Sequence, residues 1–401
     1  MKQRNMSSWD GGLARWAAFT PMFTVMMFTA ISSFAQEPVS PPTDSNRGVE
    51  RWTEGTIEDA LAQSAASATI PMSHYTFNGQ RGSFQGVLVG GNPFGNPNPV
   101  TIEAVLIPLI VYIKRQDGTL ATFDPTVPDP CDLNGGFSAE YRFRRSPLVV
   151  ASDMTFNDVN VGNAQYIDGF MQAEFWNSTG GSPSYSNPLH WAFASAAAYV
   201  PQLLDLTVAI TDGTGCSERG IVSQEIFGSF MKGVMLPYLQ STGVISPKKF
   251  AFFLTRNVVT SHSNPPTTSG IFGGQHYATG TPVQTWARAA YTIGSDVQTA
   301  SHEIAEWMND PLVTNPTPPW GDEGEVKAGS CAKKMEVGDP LNGRAAPLIT
   351  LSSYPYHVQE LAFFSWFYDE PGDTSLGAGG VFSSNGKFTG PSKPCPPGGT
   401  Y

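Results

Sequence analysis

Charge is scarce in this chain of 401 residues: 14% of positions are charged, well under the usual quarter. The 23 Lys+Arg are outnumbered by 34 Asp+Glu, for a formal net charge of −11, and no segment is rich in Lys and Arg. That balance excludes partners held by counter-charge, namely nucleic acid and an anionic membrane surface. None of the four cysteines forms a Cys-x-x-Cys pair, which removes zinc-ribbon and thioredoxin-like readings. No Gly-x-Ser-x-Gly elbow and no Gly-x-x-x-x-Gly-Lys-Ser/Thr loop occurs, so an α/β-hydrolase nucleophile and P-loop nucleotide chemistry find no support. Past the N-terminus no segment reaches the ~18 apolar residues of a membrane span. What is present, 40% hydrophobic residues, suffices for a real core and excludes disorder as the main state.

The first 35 residues have the order of a secretory signal. Lys2, Arg4 and Arg15 precede an apolar stretch, Ala17 to Ala35, that closes in the small-x-small sequence Ser33-Phe-Ala35. The expectation is a signal peptide over 1–35 and an exported protein, periplasmic or extracellular, with no membrane contact after its removal. Cysteine usage agrees, because Cys131, Cys216, Cys331 and Cys395 make an even set for an oxidising compartment. Three pairings are open; Cys331–Cys395 is preferred because it would tie the Pro-rich C-terminus to the body.

Residues 36–66 read as a flexible leader or pro-segment carrying one short helix, Thr56 to Ala66, with Thr56 as N-cap and Asp59 three residues on. Residues 67–220 read as a β-rich N-terminal region. Within it Val100 to Ile113 is the strongest strand signal, interrupted by Pro108, and Asp117-Gly118 marks a hairpin turn. Apolar periodicity predicts helices over Asn163–Trp176 and Val222–Gln240, and strands over Leu203–Thr211 and Lys249–Leu254. The fold class expected is α+β, or α/β with a mixed sheet. Residues 221–401 are expected to form a zincin-like metal-site region around one active-site-type helix.

That helix is Ser295 to Asp310, capped by Ser295 or Asp296 and stopped by Pro311. Val297, Ala300, Ile304, Trp307 and Met308 share one side, and His302 and Glu306 stack one turn apart on the other, polar side. Glu303 sits between the two. The pattern is His-Glu-x-x-Glu, a variant of the zincin His-Glu-x-x-His in which a carboxylate replaces the second ligand. Downstream, Met335-Glu-Val-Gly-Asp339 offers Glu336, Asp339 or both to complete the set, as a segment after the helix does in several metallopeptidase families. Zinc is the expected metal, with calcium or manganese as alternatives because carboxylates suit harder ions. His276, in Gly273-Gly-Gln-His276-Tyr, is a further ligand candidate read as lying on a Gly-rich loop. His74, His190 and His262 read as structural, and the aromatic run Phe363 to Tyr368 as core or as one wall of a cleft.

The segments His302-Glu-Ile-Ala-Glu306, Asn309-Asp-Pro-Leu-Val313, Trp320 and Glu336-Val-Gly-Asp339, with Gly274-Gln-His276-Tyr, resemble the C-terminal region of exported EXORDIUM-like (phosphate-induced) proteins. They also resemble bacterial secreted proteins with an H-E-x-A-E…D-P…E-x-G-D pattern, with which Phe123-Asp-Pro-Thr, Ser146-Pro-Leu and Gln165-Tyr-Ile-Asp-Gly-Phe agree. This chain departs from the pattern in the Pro-rich stretch Thr314 to Pro319 and in having Cys331 before Glu336. The resemblance implies a shared metal-binding site and, from its plant members, a cell-wall or extracellular partner. The expected function is a secreted metal-dependent hydrolase of zincin-like peptidase type, acting on a peptide or protein, with Glu303 as the catalytic base. The alternative is a non-catalytic secreted protein with a structural metal, binding a glycan or protein.

Overall fold

The long apolar run near residue 100 becomes the organising strand of a mixed, seven-stranded sheet. The computed structural model describes residues 53–95, 97–114, 118–129, 136–181, 185–194, 198–200, 209–211, 218–264, 266–268, 270–292, 294–321, 331–342, 347–368, 375–376 and 383. All of them belong to one compact unit, Val39–Tyr401. The signal peptide expected over 1–35 lies outside the described residues, as do Cys131, Cys216 and Cys395. Cys331 is disulfide-bonded, and the pairing preferred for it falls outside the described residues.

Strand Ile102–Lys114 pairs in parallel with Phe250–Arg256 on one side and with Leu189–Phe193 on the other. Phe250–Arg256 pairs in parallel with Gln284–Tyr291, and Gly274–Thr279 adds to that strand antiparallel. Leu120–Phe123 folds back onto the end of the long strand, as the Asp117-Gly118 turn predicts. Pro108 does not break the strand. It stands opposite Leu254 in the parallel pairing with Phe250–Arg256. The edge, bulge or break that Pro108 suggests therefore does not divide Ile102–Lys114 into two strands. The fold is α+β with a mixed sheet, as expected.

Alternate residues of the central strands supply two cores. Leu106, Phe252 and Ala287 face one layer, and Ile107, Phe253 and Trp286 the other. Burial on both faces is why these strands read as nearly continuous apolar runs and not as alternating ones. Helices Tyr166–Glu174 and Gln298–Asn309 cover the first face, where Trp307 stacks on Phe250 with ring centroids 3.6 Å apart. The second face is covered by Gln224–Phe230, a π-helical turn Met231–Met235, and Leu236–Ser241. This helix starts two residues later than its periodicity suggests, because Val222 and Ser223 are held in strand pairing with Thr260 and Ser261. For the same reason Tyr166–Glu174 begins after Asn163 and Ala164, which pair with Asp153 and Ser152.

Helix Ile57–Ala65 forms with its Thr56–Asp59 capping box. The aromatic run near the C-terminus is core: Phe364 and Tyr368 lie against Tyr75 and Phe77 of the hairpin Met72–Val89. Asn315 locks that hairpin to the end of the site helix. Its side-chain carbonyl accepts from Val87 N–H at 2.8 Å, and its amide donates to the Val87 and Asn309 carbonyls at 2.7 and 2.6 Å. The Pro-rich stretch then forms strand Pro316–Trp320, which pairs with Ala332–Lys334 and so returns the chain beside the helix just before Glu336.

Candidate metal centre

The site helix spans Gln298–Asn309, starting three residues after Ser295 and stopping immediately before Asp310-Pro311, as its sequence requires. Its N-cap position is Val297, without a side-chain cap. Asp296 is otherwise engaged, accepting from His357 N–H at 3.0 Å and facing His357 Nδ1 at 2.9 Å. The apolar side, Ala300, Ile304, Trp307 and Met308, is fully buried as expected. The polar side is buried as well: Glu303 is 5% and Glu306 4% exposed. Periodicity separates polar from apolar residues, but a polar side can be covered by a second set of polar groups. Here strand Gly274–Thr279 and the loop Met335–Asp339 cover it.

His276 lies within that strand, not on a loop. It is opposite Ala287 and therefore on the sheet face that the site helix covers, and it is 1% exposed. Glycines are needed at two positions because the strand and the loop pass so close to the helix. A Cβ on Gly274 would lie 2.5 Å from Glu303 Cγ, and one on Gly338 would lie 2.6 Å from His302 Cγ. These two residues escape a search for ligands, since glycine carries no donor side chain; their adjacency to ligand-type residues in the motifs is the only signal.

All six side chains singled out from sequence converge. His302 Nε2 is 3.0 Å from Glu306 Oε1 and 3.6 Å from Asp339 Oδ1. His276 Nδ1 is 3.6 Å from both Glu303 Oε2 and Glu306 Oε2, and its Nε2 is 4.0 Å from Glu336 Oε2. Asp339, and not Glu336, joins the His302–Glu306 pair, while Glu336 faces His276. Two groups of donors result, His302/Glu306/Asp339 and His276/Glu303/Glu306, and within each the ligand atoms lie within 4.8 Å of one another. Glu306 belongs to both because it follows His302 by four residues and Glu303 by three, the two spacings that bring helical side chains together.

Burial and mutual charge set the protonation of the ion-free cluster. Burial would lower the His302 pKa, but the Glu306, Glu303 and Asp339 carboxylates overcome it and hold it at about 10. Burial opposes protonation of His276 too, and Glu303 and Glu306 reverse the balance, so its pKa lies well above the usual imidazole value. Burial pushes Glu303 up, with His276 and His302 resisting. It pushes Glu336 well up, reinforced by Glu306 and Asp339. Burial would raise Glu306 as well, but the two histidines outweigh it and hold that carboxyl below its ordinary range.

The surrounding hydrogen bonds fix the loop against the helix. Gly338 N–H donates to Glu306 Oε1 at 3.2 Å, and Ala362 N–H to the Val337 carbonyl at 2.8 Å. Gln359 takes a bond from Gln298 and donates to the Leu341 carbonyl at 3.2 Å, while its N–H donates to Ser301 Oγ. No sequence signal points to Gln359. His190 pairs with Glu103 and His262 packs on Phe272, both outside the cluster, as is His357.

The separations test whether a metal fits. Donors about 2.1 Å from a tetrahedral ion lie about 3.4 Å from one another. Three of the five contacts, at 3.6 Å, are too long for charge-assisted hydrogen bonds but match donors arranged around a common ion. The residues present therefore fit a divalent metal. Comparison with known protein families, with curated proteins and with solved structures finds no match to this chain.

Proposed function

We propose that the chain is an exported, metal-dependent hydrolase of zincin-like character, acting on a peptide or protein substrate. The observation that carries this reading is the convergence of His302, Glu306 and Asp339 on one buried locus at ion-sharing distances, with Glu303 on the same helix turn. A divalent ion bound there would supply Lewis-acid polarisation and ease the ionisation of water. His302, Glu306 and Asp339 would hold it, and Gly338 N–H keeps Glu306 aimed. Glu303 is the group to take up a proton at its carboxylate, and burial raises its proton affinity. The approach for substrate is the His302/Asp339 edge, where the side chains are 12% and 13% exposed against 1–6% for His276, Glu303 and Glu306.

Zinc is the first expectation for the metal; the carboxylate-rich set also suits manganese or calcium. Export rests on the signal-like residues 1–35, and no helix among the described residues is long and apolar enough to cross a membrane. Kinship with the EXORDIUM-like proteins belongs to the same proposal and rests on the motif residues alone. The test is hydrolysis of a peptide library with and without chelator, beside Glu303→Gln. The variant should keep its metal and lose hydrolysis; an equally active Glu303→Gln ends the catalytic claim. Deep burial of Glu303 and Glu306 favours a second reading, a structural ion in a non-catalytic glycan- or protein-binding protein. Tightly bound calcium with no chelator-sensitive hydrolysis selects it.

A further inference from the structure

We infer that the centre is dinuclear, with the Glu306 carboxylate bridging two divalent cations, one at His302 and Asp339 and the other at His276, beside the Glu303 carboxylate. This deepens the proposed function and rests on its metal site. The two oxygens of Glu306 point apart: Oε1 meets His302 Nε2 at 3.0 Å, and Oε2 meets His276 Nδ1 at 3.6 Å. Each oxygen thus belongs to a different donor group. One carboxylate serving two positions is the arrangement of two-metal sites, whose ions lie ~3.5–4 Å apart.

Charge points the same way independently. Glu303, Glu306, Glu336 and Asp339 can bring four negative charges into a region where each of the three glutamates is under 9% exposed. With His276 kept neutral to ligate, one divalent ion would leave two of them to be neutralised by protons in a site where unpaired charge is costly. Two divalent ions balance all four. A third observation comes from His276, whose Nε2 is buried without a hydrogen-bond partner, 4.0 Å from Glu336. A metal-ligating imidazole donates its remote N–H to a carboxylate. Glu336 stands where that acceptor is needed if Nδ1 ligates, which makes it a positioning residue for His276.

The test uses the full chain, stripped with chelator, dialysed, and titrated with Mn²⁺ alone. About two Mn²⁺ per chain are expected, with the electron paramagnetic resonance signature of a spin-coupled pair. His276→Gln should bind one, showing the isolated six-line signal. One ion per chain in the wild type, unchanged in His276→Gln, overturns the second position and leaves the proposed function standing. Two ions without coupling overturn the bridge, and no ion at all overturns both readings. The wild-type coupling measurement decides the matter even if His276→Gln fails to fold, which a thermal melt reveals.

Discussion

Replacing Gly338 with alanine perturbs the candidate metal centre without replacing any of its ligand side chains. The backbone there, φ −83° and ψ −32°, is right-handed helical and accepts alanine, so no strain comes from the main chain. The added Cβ, however, would lie 2.6 Å from His302 Cγ and 2.7 Å from Cε1, whereas ordinary contact begins at 3.4 Å. Either the ring or the loop must retreat by at least about 0.8 Å, the difference between 3.4 and 2.6 Å, since Nδ1 of the ring lies nearer still. Metal–ligand distances tolerate only about ±0.2 Å. Displacing an imidazole by several times that should weaken binding at the His302 position ~100-fold, the upper end for changes behind a ligand. Through linkage this removes about 2.7 kcal/mol of metal-dependent stabilisation. The assay is calorimetric titration of Zn²⁺ or Mn²⁺ into the stripped chain, with thermal melts at saturating and at zero metal. The gap between those melts should shrink in Gly338→Ala. Gly274→Ala should act likewise on the other donor group, through Glu303. Wild-type affinity in Gly338→Ala would show that His302 is not held where binding needs it, and the role given to Gly338 would fall.

Asn315→Ala should destabilise the chain by ~3–5 kcal/mol in urea unfolding, since it leaves the buried Val87 N–H and the Val87 and Asn309 carbonyls without their partner. A loss under ~1 kcal/mol would show that water replaces the side chain. The metal-free chain should lose stability as pH rises. His302 has its pKa raised from 6.5 to about 10, so its contribution is complete below pH 6.5 and disappears on the way to pH 10. Chemical denaturation across that window should slope downward more steeply in wild type than in His302→Ala; parallel slopes would contradict the ion pair with Glu306.

Much of the centre is legible in the residue order, for a local reason. Spacings of three and four on a helix fix which side chains meet, so His302, Glu303 and Glu306 group together from their positions in the chain alone. The stop at Asp310-Pro311 is equally local and equally accurate. What sequence periodicity misses is what covers a polar face. Helical spacing places Glu303 and Glu306 on a polar side but does not show that strand Gly274–Thr279 and loop Met335–Asp339 close over them. His276 illustrates the same limit: Gly273-Gly274 reads as a loop signal, whereas the glycine at 274 is there because Glu303 occupies the space of a side chain. Pro108 reads as an edge, a bulge or a break, and only the pairing with Phe250–Arg256 shows that the strand runs through it. The division of labour between Glu336 and Asp339 depends on how strand Pro316–Trp320 returns the chain, which no local rule supplies.

Whether the cluster holds a metal at all is decided by the metal content of the tag-free chain, measured by elemental mass spectrometry beside a His302→Ala/Glu306→Ala double variant. Bound divalent metal is expected in the wild type and its loss in the variant, with both proteins giving cooperative melts. A well-folded wild type that binds no divalent metal, even after incubation with Zn²⁺, Mn²⁺ and Ca²⁺, would contradict this and reduce the cluster to a buried network of ion pairs.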